Sequence, residues 1–155
     1  MKVEYVSAEP FCLGMSGKGL CCIKGRFVMS LSEYFEKVEG LGILATADSD
    51  GLVDLALYAK PYLIDETTIA FVMQERLTHR NLKSNPHAAY MFVEKGSGYN
   101  GKRLYLTQIR EETNTSVVEM FRKKQPAICA AGDDSNKYLV HFQVNEIYPL
   151  VGGKT

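Results

Sequence analysis

Arg76, Thr78, His79, Arg80 and Lys83 fall within eight consecutive residues, in the stretch ERLTHRNLKSNP. Each can hold an anion. The stretch lies between two apolar runs, TIAFVM and AAYMFVE, in a chain whose 18 Lys+Arg balance 18 Asp+Glu. A neutral chain has no global basic field for nucleic acid, so anion binding must be local. Thr78 is a good N-cap residue, HRNLKS can make one or two helical turns, and Asn85-Pro86 ends them. A helix N-terminus carries about +0.5 of partial charge and disfavours nearby cations by roughly 0.3–1 kcal/mol each. Cations there make sense if an anion joins them, held by free N–H groups, a hydroxyl and guanidinium groups. Spacing alone is equally compatible with a solvated basic loop. No G-x-x-x-x-G-K-[ST] or G-x-G-x-x-G is present, which leaves a mononucleotide phosphate as the kind of anion expected.

Two other stretches offer partners. Lys60 interrupts the apolar LVDLALYAKPYLI beside Pro61. It can snorkel to water or reach an anion at a barrel rim. In GYNGKRLYLTQI, strand alternation puts Arg103 and Tyr105 on one face, with Tyr99 in the loop before. That set suits a flat heteroaromatic ring, and ordinary surface aromatics fit the same pattern. No side chain stands out as a general acid or base.

The elements that must position these residues are short. The chain has 155 residues, which suggests one domain. Residues 1–29 read as an irregular arm packed on a domain at 30–155. SLSEYFEKVEG reads as a short amphipathic helix, with a Ser30–Glu33 capping box and Gly40 as its stop. Six strands follow: LGILATA, LVDLALYAKPYLI, TTIAFVMQE, AAYMFVE, KRLYLTQI and KYLVHFQVNEIYPL. DSDG and Asp65-Glu66 supply tight turns between the first three. TSVVEMFRKK reads as a late helix carrying Val117, Val118 and Phe121 on one side. The pattern predicts a mainly β protein, a six-stranded antiparallel split β-barrel with flanking α-helices.

Cys12, Cys21, Cys22 and Cys129 form no C-x-x-C pair, and His79, His87 and His141 are scattered. No metal site is expected, and the thiols read as reduced or buried. No run approaches the ~18 apolar residues of a membrane helix. The expected home is the cytoplasm, with no nucleic-acid or membrane partner.

GILATADSDG, YAKPYLI, FVMQERLTHRNLKSNPHAAYMFVE, GYNGKRLYLTQI and YLVHFQVNEIYPLVG occur in an order and spacing that resemble the flavin mononucleotide (FMN)-binding split-barrel family, the pyridoxamine 5′-phosphate oxidase-like proteins. The resemblance covers roughly residues 31–150. It implies a homodimer with FMN at the interface, touched by both chains, and an oxidoreductase passing hydride or electrons to a small-molecule redox substrate or an electron-transfer partner. It places Arg76, Leu77, Thr78, His79 and Asn81 at the phosphate and ribityl chain. Tyr58, Ala59 and Lys60 lie along the ring, Met73 is a further cofactor contact, and Tyr99, Arg103 and Tyr105 are contacts from the second subunit. The chain ends LVGGKT, without the Arg- and His-bearing closing segment of the true pyridoxamine phosphate oxidases, which argues against vitamin B6 oxidation. A non-catalytic flavin-binding or flavin-sensing protein and a haem-binding relative on the same barrel are the alternatives.

Overall fold

The computed structural model describes residues 30–113, 116, 118, 120 and 137–152. The N-terminal arm lies outside the described residues. So does most of the late helix, of which Ser116, Val118 and Met120 are helical. The element order is α1 (Leu31–Lys37), β1 (Gly40–Ala47), β2 (Val53–Tyr58), β3 (Tyr62–Leu63), β4 (Thr68–Gln74), α2 (Leu77–Ser84), β5 (His87–Glu94), β6 (Gly101–Glu112) and β7 (Lys137–Pro149). All strand pairs are antiparallel, in the order β2-β1-β5-β6-β7-β4-β3.

That order forces the sheet to curl. A flat seven-stranded sheet would hold its outer strands roughly 29 Å apart. Yet β2 and β3 are those outer strands, and only Ala59–Pro61 joins them. Four Cα steps span at most about 14 Å. The concave face becomes the core, built from Leu44, Ile69, Phe71, Met73, Ala88, Tyr90, Phe92, Leu104, Leu106, Val140 and Phe142.

LVDLALYAKPYLI was expected as one strand and forms two, β2 and β3, so the described residues hold seven strands where six were expected. Pro61 cannot donate to a ladder, which breaks the pairing there. The linker is fixed instead by side chains: Tyr90 Oη donates to the Ala59 carbonyl (3.0 Å) and Lys60 Nζ to the Phe35 carbonyl (3.0 Å).

The DSDG turn forms as its residues dictate. Asp48 Oδ1 accepts from the N–H groups of Asp50 (3.0 Å) and Leu52 (2.9 Å), and Gly51 takes φ 83°. The Ser30–Glu33 capping box is present. Gly40 is not the helix stop that the sequence suggested: α1 ends at Lys37 with Val38 as C-cap, and Gly40 opens β1. A Cβ at Gly40 would meet the Val93 carbonyl at 2.2 Å and the Phe92 ring at 2.6 Å, so close strand approach requires glycine there.

The two helices sit at opposite ends of β1. Near Gly40, α1 buries Tyr34 and Phe35 edge-on against Phe92, with ring centroids at 5.9 and 5.2 Å. Tyr34 Oη donates to Glu94 (2.6 Å), which pairs in register with Gly40. Near Thr46, α2 packs on β1 and β2 and sends Leu82 into the core. Among the described residues, no helix is long and apolar enough to cross a membrane.

Lys102 points from β6 into the α1 end, with Nζ 4.0 Å over the Tyr34 ring. Burial lowers its pKa to about 8, against the opposing pull of Glu94. Between that value and 10.5 the unfolded chain binds more protons at this position than the folded one. Folded stability attributable to Lys102 therefore rises with pH through that window, and the burial penalty is fully present below it. The stability difference between wild type and Lys102→Met is expected to shift towards wild type from pH 7 to pH 10. Denaturant titrations of both proteins at each pH check this, since the other ionisable groups cancel in the difference.

Candidate functional site

The N-terminus of α2 meets the rim of the barrel at β1 and β2. Arg76, not Thr78, is the N-cap, in extended conformation and without a side-chain cap bond. The helix thus starts two residues earlier than Thr78 as N-cap would imply. It ends as expected at Asn85, before Pro86. Its first turn holds no acidic residue. Helix geometry leaves the N–H groups of Leu77, Thr78 and His79 without intrahelical acceptors, because the first closed bond runs from Arg80 N–H to the Arg76 carbonyl (2.9 Å).

Thr78, freed from capping, is buried, and its hydroxyl donates to Asp54 Oδ2 (3.1 Å). Asp54 stands on the inward-facing side of β2, together with Ala56 and Tyr58, opposite the exposed Val53, Leu55 and Leu57. The Tyr58 phenol lies beside Thr78. Burial pushes its pKa up and the Asp54 carboxylate adds to that, while Thr78 and the Arg76 guanidinium oppose. Tyr58 therefore stays a neutral donor at physiological pH. One turn on, Asn81 Nδ2 donates to the buried Thr46 Oγ1 (3.2 Å), which ties α2 to β1. Glu75 receives Lys83 (3.0 Å) and the Tyr138 hydroxyl (3.1 Å) at the outer side of the helix.

The structure therefore gathers Tyr58, Arg76, Leu77, Thr78 and Asn81 from the sequence-predicted set. Others lie elsewhere. His79 is fully buried, stacked on Tyr138 (4.1 Å, 22°), with Nε2 2.9 Å from Glu111. The ring packs α2 on β6 and β7 through Nε2 and its stacked face, while Nδ1 is buried without a hydrogen-bond partner among the described residues. Lys60 serves the other end of the barrel, bonded to an α1 carbonyl. There it helps line an open groove of about 600 Å³ with Glu39, Leu41, Glu94 and Lys95. Ala59 offers its carbonyl to Tyr90, and Met73 is a core residue.

Tyr99, Arg103 and Tyr105 form a separate surface on β6 and the loop before it. Arg103 donates to the carbonyls of Pro149 (3.1 Å) and Gly152, and lies 5.9 Å from the Tyr148 ring centroid. Tyr105 packs edge-on against Tyr148 (5.5 Å). His87 is exposed, and His141 is buried with Nε2 3.0 Å from Glu112. Among the described residues, no three His, Cys, Asp or Glu side chains gather to hold a metal ion.

Asp54 and Thr46 are the site residues that sequence reasoning missed. The signal for Asp54 was available: period-two alternation puts it on the same strand face as Tyr58. Thr46 carried no signal, since its role depends on where α2 docks.

The donor set suits a phosphate: first-turn N–H groups, a hydroxyl, a neutral phenol and an arginine converge on one rim, with Asp54 the opposing charge. The same edge strand carries an apolar row on its other face, where Val53, Leu55 and Leu57 are 64%, 68% and 63% exposed. In register, that row continues through Ile43 and Ala45 of β1 and Met91 and Ala89 of β5 to Arg103 and Tyr105 of β6.

No protein-family model and no curated protein sequence matches the chain. Solved structures do. An FMN-binding protein from Syntrophomonas wolfei superposes with a TM-score of 0.66 at 16% identity, covering 81% of this chain and 86% of that one. An F420 reductase gives 0.59 at 15% identity, covering 75% and 94%. A putative pyridoxamine 5′-phosphate oxidase from Lactobacillus delbrueckii gives 0.55 at 16% identity, covering 71% and 84%. With its curled antiparallel sheet and two flanking helices, the chain has the pyridoxamine 5′-phosphate oxidase-like split-barrel fold.

Proposed function

We propose that the protein is an FMN-binding flavoprotein of the oxidoreductase class, acting as a homodimer. The observation that carries this reading is the first turn of α2. It has no acidic residue, an arginine at its N-cap and a buried threonine at its second position, in a fold shared with a solved FMN-binding protein.

In this reading the first-turn N–H groups, Thr78 and Arg76 hold the phosphate. Asn81 fixes the helix that presents them, and Tyr58 lends a neutral hydroxyl to the ribityl chain. Charge-assisted hydrogen bonds contribute about 1.5–3 kcal/mol each. Three of them supply about 4.5–9 kcal/mol before the cost of association, so the roughly 8 kcal/mol of micromolar binding needs ring burial as well. The second copy supplies that burial. The outer face of β2-β1-β5-β6 is apolar, and Ala45 and Ala89 let two sheets approach closely. Arg103 and Tyr105 belong to that face and Tyr99 to the loop that enters it, which makes them the partner's contribution to the ring. FMN, when bound, supplies the redox chemistry. The chain's own residues bind it, orient it and exclude water from it. The acceptor is a small molecule or a second redox protein.

The purified protein is expected to be yellow, with two near-visible absorbance bands, and to release FMN on denaturation. A colourless protein that fails to bind added FMN would refute the reading.

A further inference from the structure

Asp54 is a carboxylate at the α2 rim, bonded to Thr78, whose charge opposes a phosphate; Glu75, one residue before the N-cap, is bonded instead to Lys83 and Tyr138. Asp54 Oδ2 lies 3.1 Å from Thr78 Oγ1 and takes the single proton that this hydroxyl can donate. It also acts on the Tyr58 phenol, against the Arg76 guanidinium. A carboxylate at this distance weakens the site for an anion in proportion to the anion's charge. It also ties up Thr78, which must choose between Asp54 and the ligand. An asparagine would keep an acceptor for Thr78 at the same place and remove the charge.

We propose that Asp54 sets the charge selectivity of this site, disfavouring a doubly charged terminal phosphate relative to a singly charged or neutral end on the same ring. This rests on the flavin-binding reading, and makes Asp54 a specificity-determining residue within it. The residue faces the ligand's end and takes no part in chemistry at the ring.

The test compares wild type and Asp54→Asn by flavin fluorescence titration with three ligands that share one ring. These are riboflavin, riboflavin 4′,5′-cyclic phosphate and FMN, with terminal charges of about zero, minus one and minus two at neutral pH. The substitution is expected to tighten FMN about tenfold and the cyclic phosphate about threefold, and to leave riboflavin within about twofold. Thermal unfolding confirms that both proteins are folded. Equal tightening of all three ligands overturns the proposal, because it reports a looser pocket rather than a charge. Unchanged or weaker FMN binding by a folded Asp54→Asn, with wild type still binding FMN, also overturns it and leaves the flavin reading intact. Failure of both proteins to bind any of the three overturns both.

Discussion

Replacing Arg76 and Thr78 together with alanine is expected to weaken FMN binding at least about 100-fold while the barrel stays folded. The magnitude follows from the two bonds removed, at about 1.5–3 kcal/mol each when one partner is ionised. The fold survives because neither side chain belongs to the core cluster. Arg76 is exposed, and Thr78 ends at a rim carboxylate rather than among the packed rings. The helix keeps its anchor through Leu82 and through the Asn81–Thr46 bond. Some stability is lost, since Asp54 gives up a donor, at about 1–3 kcal/mol for a group that stays partly hydrated. Equilibrium titration with FMN, alongside circular dichroism of the variant, separates the two effects. Unchanged occupancy would place the phosphate elsewhere.

A second large effect is expected at the outer face. Leu55→Glu with Leu57→Glu puts like charges on a row that would face itself across a two-fold axis. Both side chains are about two-thirds exposed in the single chain, so the monomer fold loses little. A desolvated pair of carboxylates on each subunit costs far more than an interface of this kind returns. Sedimentation velocity is expected to show monomers where wild type sediments as a dimer. FMN affinity is expected to fall at least about tenfold, because ring contacts from Tyr99, Arg103 and Tyr105 of the second copy go with it. A variant that remains dimeric would assign the apolar face another role. A monomeric variant with full FMN affinity would confine the site to one chain.

The barrel was legible because its signals are local. Alternation in β6 put Arg103 and Tyr105 on one face, opposite Leu104 and Leu106, which are buried in the core. The Asp48 turn and the Ser30 capping box were read from their own residues. The break at Ala59–Pro61 was marked by Pro61 but read through, because a long apolar run outweighed one residue. The site was legible in part. Arg76, Thr78 and Asn81 lie on one short helix, so their spacing carried them together. His79 and Lys60 stand apart from that rim for a shared reason. A cationic side chain near an anion site is indistinguishable in sequence from one that serves packing. Only the tertiary partners decide: Glu111 and Tyr138 for His79, and the α1 carbonyl of Phe35 for Lys60. Asp54 was passed over although alternation put it on the face of Tyr58, because nothing in the sequence placed α2 opposite that face.

A crystal structure of the protein grown with FMN is the most direct test of the central claim. The account expects the phosphate within hydrogen-bond distance of Thr78 Oγ1 and the first-turn N–H groups of α2, beside Arg76, with the ring covered by a second copy. Flavin seated with its phosphate in the groove of Glu39, Lys60 and Lys95, or on the surface of Arg103 and Tyr148, would contradict it.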